Sequence, residues 1–190
     1  MIKERVQALL KALNDRDEGV RKSASVSLER LEARGSIPNF VEALKNPRPE
    51  IRIRAVYALG ETRDERALPS LILALDDPDE YVRGAALKVM GEIKDKRSIE
   101  PVAARLKDNN PSVRELAAKA LGDMRAREAV EAIISMLPAE EKGTRTAMIK
   151  ALSDIGDKRA EPTLLSILND PREDPAARKE AAKGLGELEF

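Results

Sequence analysis

The chain's 190 residues suffice for one domain with a sizeable core, and its 34 basic and 34 acidic side chains cancel, which disfavours a dedicated nucleic-acid binder. Charged residues make up 36% of the chain and no apolar run approaches the ~20 residues of a membrane span, which excludes a membrane protein. Cysteine and histidine are absent, so disulfides, thiolate chemistry, the commonest metal ligand and the usual general base near neutral pH are all excluded.

The beginning, Met1-Ile2-Lys3-Glu4-Arg5, mixes acid and base before any apolar run, unlike a secretory signal, so a cytoplasmic protein is expected. A first helix is predicted over Ile2 to Leu13, polar enough through Lys3, Glu4, Arg5, Gln7 and Lys11 to cap a stack. From there the chain repeats. Leu13, Leu44, Leu75, Leu106, Leu137 and Leu168 recur at an unbroken 31-residue spacing. Arg21, Arg52, Arg83, Arg114 and Arg145 keep the same spacing, and Arg178 follows two residues late. Three positions after each arginine lie Ala24, Ala55, Ala86, Ala117, Met148 and Ala181; seven after lie Leu28, Leu59, Met90, Leu121, Leu152 and Leu185.

Each period holds two helical patterns. The short one, Ala67 to Leu75, carries Leu68, Leu71, Ile72 and Leu75 on one face, with Pro69 in the first turn, where its missing N–H costs little. The longer one, Asp79 to Ile93, aligns Val82, Ala85, Ala86, Val89, Met90 and Ile93. Turn signals separate them: Asn46-Pro47, Asp77-Pro78-Asp79 and Asp170-Pro171. Gly60, Gly91, Gly122 and Gly186 fall near the ends of second helices, where a small residue serves either close packing or termination. Around Ala139 to Gly156 the turn lacks Asp and Pro, Met148 replaces the packing alanine, Ser153 replaces the glycine and Thr144 stands where others have Val or Ile, so a looser or re-angled junction is expected. Pro171 to Pro175 holds the two-residue insertion and is predicted as a longer surface loop. The last helix stops after Leu185, Leu188 and Phe190 without a cap; dimerisation through that end, or continuation into a longer chain, would cover it.

A lone helical hairpin cannot bury both apolar faces, so the expected fold is all-α: one domain over 1–190, an α-solenoid of six two-helix repeats. Asp77-Pro78, Val82-Arg83, Ala85-Ala86-Leu87, Gly91-Glu92 and Asp64-Glu65-Arg66-Ala67 resemble the HEAT-like repeats of phycobilisome lyase subunits and their relatives. The resemblance implies that first helices form an outer, convex layer and second helices line a concave groove. It further implies a ladder between neighbouring repeats, here Asp15, Asn46, Asp77, Asp108 and Asp170 with Arg21, Arg52, Arg83, Arg114 and Arg178. No bilin-specific motif is visible, and the histidines of metal-binding relatives are missing.

The acidic pairs Asp76-Asp77 and Glu140-Glu141 sit at turns, where capping and solvation account for them, so no metal site and no cofactor are expected. On the family pattern, Val26, Tyr57, Lys88, Lys119, Lys150 and Lys183 project into the groove. Four residues on lie Arg30, Glu61, Glu92, Asp123, Asp154 and Glu187, so each groove lysine has an acid one turn along and the pairs largely cancel. The first half of the groove reads differently: Val26, Ile53, Tyr57 and Tyr81, with Glu50 and Arg54 around them and Leu116 extending the patch. The two tyrosines either cover neighbouring helices or form a binding patch; tyrosine and arginine on a partly apolar surface are hot-spot composition. Six second helices spaced roughly 8–10 Å apart and about 20 Å long offer on the order of 1,000 Å², and one partner gives ~800 Å² to a standard protein interface. The expected function is a non-catalytic scaffold holding a protein partner in the groove at Val26, Glu50, Ile53, Arg54, Tyr57, Tyr81, Lys88, Leu116 and Lys119. The alternatives are a subunit of a chromophore lyase or similar modifying complex, and a nucleic-acid-binding protein.

Overall fold

The computed structural model describes residues 5, 8, 9, 11, 12, 15–35 and 37–188, leaving out the side chains of 25 and 28–35. Several expectations lie outside that description: the helix over Ile2 to Leu13 as a whole, the side chains of Leu28 and Arg30, and Phe190 with the dimer expected there.

Among the described residues there are eleven α-helices and no strand. The second helices of successive repeats are α1 (Glu18–Gly35), α3 (Pro49–Thr62), α5 (Glu80–Ile93), α7 (Pro111–Asp123), α9 (Lys142–Ile155) and α11 (Pro175–Glu187). The intervening first helices are α2 (Ile37–Ala43), α4 (Leu68–Leu73), α6 (Ile99–Ala104), α8 (Val130–Met136) and α10 (Glu161–Asn169). Most first helices are extended by 3-10 turns, such as Glu65–Ala67 before α4 and Ala74–Asp76 after it. Consecutive second helices pack directly on one another and each rests on a first helix, so the chain is an α-solenoid of two layers. The repeating leucines and alanines fill the seam: Leu59, Leu75, Ala86, Leu106, Ala117, Leu121 and Leu152 are buried.

Local chemistry starts several of the second helices. The Asp79 carboxylate accepts from the N–H groups of Tyr81 and Val82, Asn110 caps Ser112, and Asp174 caps Ala176. Asp64, Asp95 and Asp157 cap the 3-10 turns that lead into first helices. The glycines serve packing. A Cβ at Gly91 would lie 3.3 Å from Ala120 Cα, one at Gly122 would lie 3.2 Å from Ala151 Cα, and one at Gly60 would collide with Val89. Helix termination falls instead to Arg63, Lys94 and Arg125 in left-handed conformation, and to Gly156. Gly186 has nothing near it; Gly184 is the packed residue of the last repeat.

The ladder between repeats is present at Asp77 and Asp108, as expected, and continues on two other acids. Arg52 Nε and Nη2 donate to Asp77 at 2.7 and 2.6 Å, while Nη1 donates to the Asn46 carbonyl of its own turn. Arg83 does the same with Asp108 and the Asp77 carbonyl. Arg114 reaches Glu140, and Arg145 reaches Glu173. Each arginine thus ties its own turn to the next repeat's acid. Glu140, expected only to cap or to be solvated, is a rung. Asp170, expected in the ladder, pairs with Arg172, and Arg178 donates to the Leu168 carbonyl. Glutamate serves where the acid falls later in the sequence, 26 residues after Arg114 and 28 after Arg145 against 25 in the two earlier rungs.

The irregular repeat over Ala139 to Gly156 is filled, in place of the looseness expected there. Met148, Ile149 and Ser153 are fully buried. Ser153 stands at the glycine position and meets Gly184, the register equivalent of Val89, Ala120 and Ala151. The small residue has moved to the opposite helix, and Ser153 Oγ donates to the Glu180 carbonyl at 2.7 Å.

Two predictions follow from this packing. A Cβ at Gly184 would lie 2.8 Å from Ser153 Cβ and 3.0 Å from its Cα, so Gly184→Ala should cost about 1–3 kcal/mol in urea unfolding. Adding Ser153→Gly should leave the double variant more stable than the two single costs summed. Arg83→Met would strand the nearly buried Asp108 carboxylate and should cost about 3–5 kcal/mol.

The rungs and caps also set a pH dependence. Burial pushes the Asp108 carboxyl up, but the Arg83 hydrogen bonds and the Asn110 N–H outweigh it and hold the group below the usual range. The Arg145 hydrogen bond lowers Glu173 against its burial, and the Arg159 side chain and N–H lower Asp157 to about 2. With folded values below unfolded ones of about 4, this stability is complete above about pH 5 and is lost as pH falls toward 2. The urea midpoint should therefore decline steadily on acidification through that window; a flat profile would contradict the assignment.

Candidate functional site

Three hollows run along the layer of second helices. The central one, about 290 Å³, lies across α3, α5 and α7 and brings together Ile53, Tyr57, Tyr81, Lys88 and Leu116. Its floor is Ala85 and Val113, and Glu80 and Ser112 stand at its edge. A second, of about 420 Å³ across α5, α7 and α9, shares Lys88 and Leu116 with it and is lined by Lys119, Lys150 and Asp154. A third, of about 680 Å³, lies at the C-terminal ends of α3 and α5 and shares Tyr57 with the central one. Shared lining residues set the three side by side along this layer, here called the groove.

Local sequence explains the placement. Tyr57 and Lys88 are one repeat apart on corresponding helix faces, two residues beyond Ala55 and Ala86, which pack inward. Tyr81 sits in the first turn of α5, directed outward while Val82 is buried. Tyr57 is 39% and Tyr81 71% exposed, a large apolar area for a chain with only two tyrosines. Gly84 keeps the central hollow open, because a Cβ there would press within 3.0 Å of Leu116 Cδ1.

Three of the expected residues lie outside the hollows. Val26 is exposed on α1, Glu50 reaches Arg48 at 3.7 Å near the start of α3, and Arg54 is exposed on α3. Lys119 lines the second hollow, with its charge held by Asp123 at 2.9 Å. The i,i+4 pairing expected along the row forms at Lys119–Asp123, Lys150–Asp154 and Lys183–Glu187. It does not form at Lys88–Glu92, whose side chains make no ion pair with each other or with any other described group, and Glu61 has none either. The expectation that each groove lysine is paired one turn along therefore fails at Lys88, while Glu61 has Tyr57 at the lysine position of its row.

The ladder arginines are committed to rungs. In Arg52, Arg83, Arg114 and Arg145, Nε and both terminal nitrogens all donate within the protein, so none offers its guanidinium fork to phosphate. No cluster of three or more carboxylates with metal-holding geometry exists among the described residues, and none of their helices is long and apolar enough to cross a membrane.

A family model for HEAT repeats matches residues 6–86, 68–147 and 130–189, which together span nearly the whole chain. The protein belongs to the HEAT-repeat family. No curated protein matches the sequence. A designed armadillo repeat protein in complex with peptide (KR)4 is 18% identical over 97% of this chain and 99% of its own, with a TM-score of 0.63. The complex of CpcE and CpcF of phycocyanin lyase from Nostoc sp. PCC7120 is 23% identical over 95% of this chain and 76% of the other, with a TM-score of 0.56. An engineered protein, a structural-genomics crystal structure, is 19% identical over 96% and 95%, with a TM-score of 0.59. At these identities the likeness shows the fold alone.

Because Tyr81 projects from the packed layer and Tyr57 is only partly covered by it, Tyr57→Ala with Tyr81→Ala should cost no more than about 2 kcal/mol in urea titration. A loss of several kcal/mol would make them core residues.

Proposed function

We propose that this HEAT-repeat protein is a non-catalytic scaffold, one repeat domain over 1–190, that holds a protein partner along the second-helix groove. The observation that carries the reading is the pair of exposed tyrosines walling a hollow with Ile53 and Leu116. Amphipathic rings with few rotatable bonds lose little entropy on binding, and their apolar faces reward burial. The groove's length suits a folded surface or an extended segment better than a small molecule. The armadillo relative is a complex with a peptide, and CpcE and CpcF form a complex with each other, so both neighbours accord with partner binding. The likeness to the phycocyanin lyase complex supplies the second reading, a subunit of a modifying complex.

The test is affinity capture from nuclease-treated lysate of the producing cell, comparing wild type with the Tyr57→Ala, Tyr81→Ala variant. A protein enriched by wild type and weakened at least about thirtyfold by the variant is the expected result. Equal capture by both proteins would remove the groove from the account. A captured protein that carries a coloured tetrapyrrole would favour the second reading.

A further inference from the structure

Along the groove face, the row acid is neutralised by its own helix's lysine in the three later repeats and left unpaired in two earlier ones. Asp123, Asp154 and Glu187 are held by Lys119, Lys150 and Lys183. Glu61 and Glu92, one repeat apart, are exposed and make no ion pair or hydrogen bond with any other described side chain. Both line the hollow of about 680 Å³, whose floor is apolar (Leu68, Val89 and Ile93) and whose shared wall with the central hollow is Tyr57. Asp64 and Asp95 at its edge are already bound by Arg66 and Arg97, and Arg63 offsets one negative charge without cancelling the pair. The C-terminal ends of α3 and α5 converge on the same place and add their partial negative charge.

We infer that this end of the groove takes a basic side chain, arginine before lysine, from an extended partner segment whose neighbouring apolar side chain occupies the Tyr57–Tyr81 hollow. The inference rests on the scaffold reading and names the partner's chemistry. An arginine suits the site on three counts. Its methylene stem covers the apolar floor, its planar head stacks on an aromatic face such as Tyr57, and its fork can bridge two separated carboxylates. A second acid in the partner would meet Glu61 and Glu92 as like charges, so sign sets specificity here. Lys88 stands one turn before Glu92 on α5 without pairing to it and offsets part of this charge, but the five carboxylates lining the hollow, Glu61, Asp64, Glu65, Glu92 and Asp95, still outnumber Arg63, Lys88 and the pairing Arg66 and Arg97.

The experiment uses fluorescent peptides of about eight residues, long enough to cross both hollows. One repeats Arg-Ser-Leu, one Glu-Ser-Leu and one Arg-Ser-Ser. Fluorescence anisotropy is measured against the full chain, Glu61→Gln with Glu92→Gln, Tyr57→Ala with Tyr81→Ala, and Glu100→Gln on the first-helix layer. The Arg-Ser-Leu peptide should bind in a salt-dependent way, the glutamate peptide should not, and the arginine–serine peptide should bind more weakly. The Glu61, Glu92 variant should lose about tenfold in affinity and most of the salt dependence with its melting temperature unchanged, while Glu100→Gln behaves as wild type. Peptides of either sign binding equally, binding unaffected by Glu61→Gln with Glu92→Gln, or no binding of the Arg-Ser-Leu peptide would each overturn the inference. In the first two cases, continued loss of binding with the tyrosine variant would leave the scaffold reading standing, and its absence would remove both.

Discussion

An arginine that holds two neighbouring turns at once is the interaction on which the rest of the molecule depends. Each rung joins the carbonyl of its own turn to the carboxylate of the next, as Arg83 does with Asp77 and Asp108. Hydrophobic stacking is non-directional and would tolerate sliding of one hairpin on another; a bidentate pair fixes the register. With register fixed, small residues fall opposite helix backbones at each crossing, and the second helices approach closely enough to form one layer. Where the repeat is irregular, both devices adapt: glutamate lengthens the rung, and the small residue changes sides at Ser153 and Gly184.

That commitment shapes what the protein can do. A row of arginines at repeat spacing would read as a phosphate binder, yet these are consumed internally. The helix face that neither rungs nor packing use carries Tyr57 and Lys88 and, one turn on, Glu61 and Glu92. The later repeats close this face with lysine–carboxylate pairs, whereas the earlier ones leave aromatic surface and carboxylates uncommitted. The asymmetry gives a repetitive fold one distinctive end.

The fold was legible because it is periodic. Arg52, Arg83 and Arg114 recur with the same neighbours, and the helix expected from Asp79 to Ile93 is α5 with Asp79 as its cap. Repetition also misled. The resemblance implies a rung at Asp170, but the two-residue insertion carries Glu173 to the rung position. Ser153 was read as a lost glycine because one sequence position cannot show that its partner, Gly184, had compensated. The site was partly legible: Ile53, Tyr57, Tyr81, Lys88 and Leu116 meet in one hollow, but Val26, Glu50 and Arg54 do not line it. Spacing places a residue on a helix face; which groups are already paired depends on side-chain reach, and that separates Glu92 from Asp123.

The most direct test of the central claim is site-specific photocrosslinking in the producing cell. A benzoylphenylalanine replaces Tyr57 in one variant and Leu73, an exposed residue of the first-helix layer, in another. The account predicts a discrete protein adduct from position 57 and none from position 73. Adducts confined to position 73, or the same adducts from both, would place recognition elsewhere on the solenoid and contradict it.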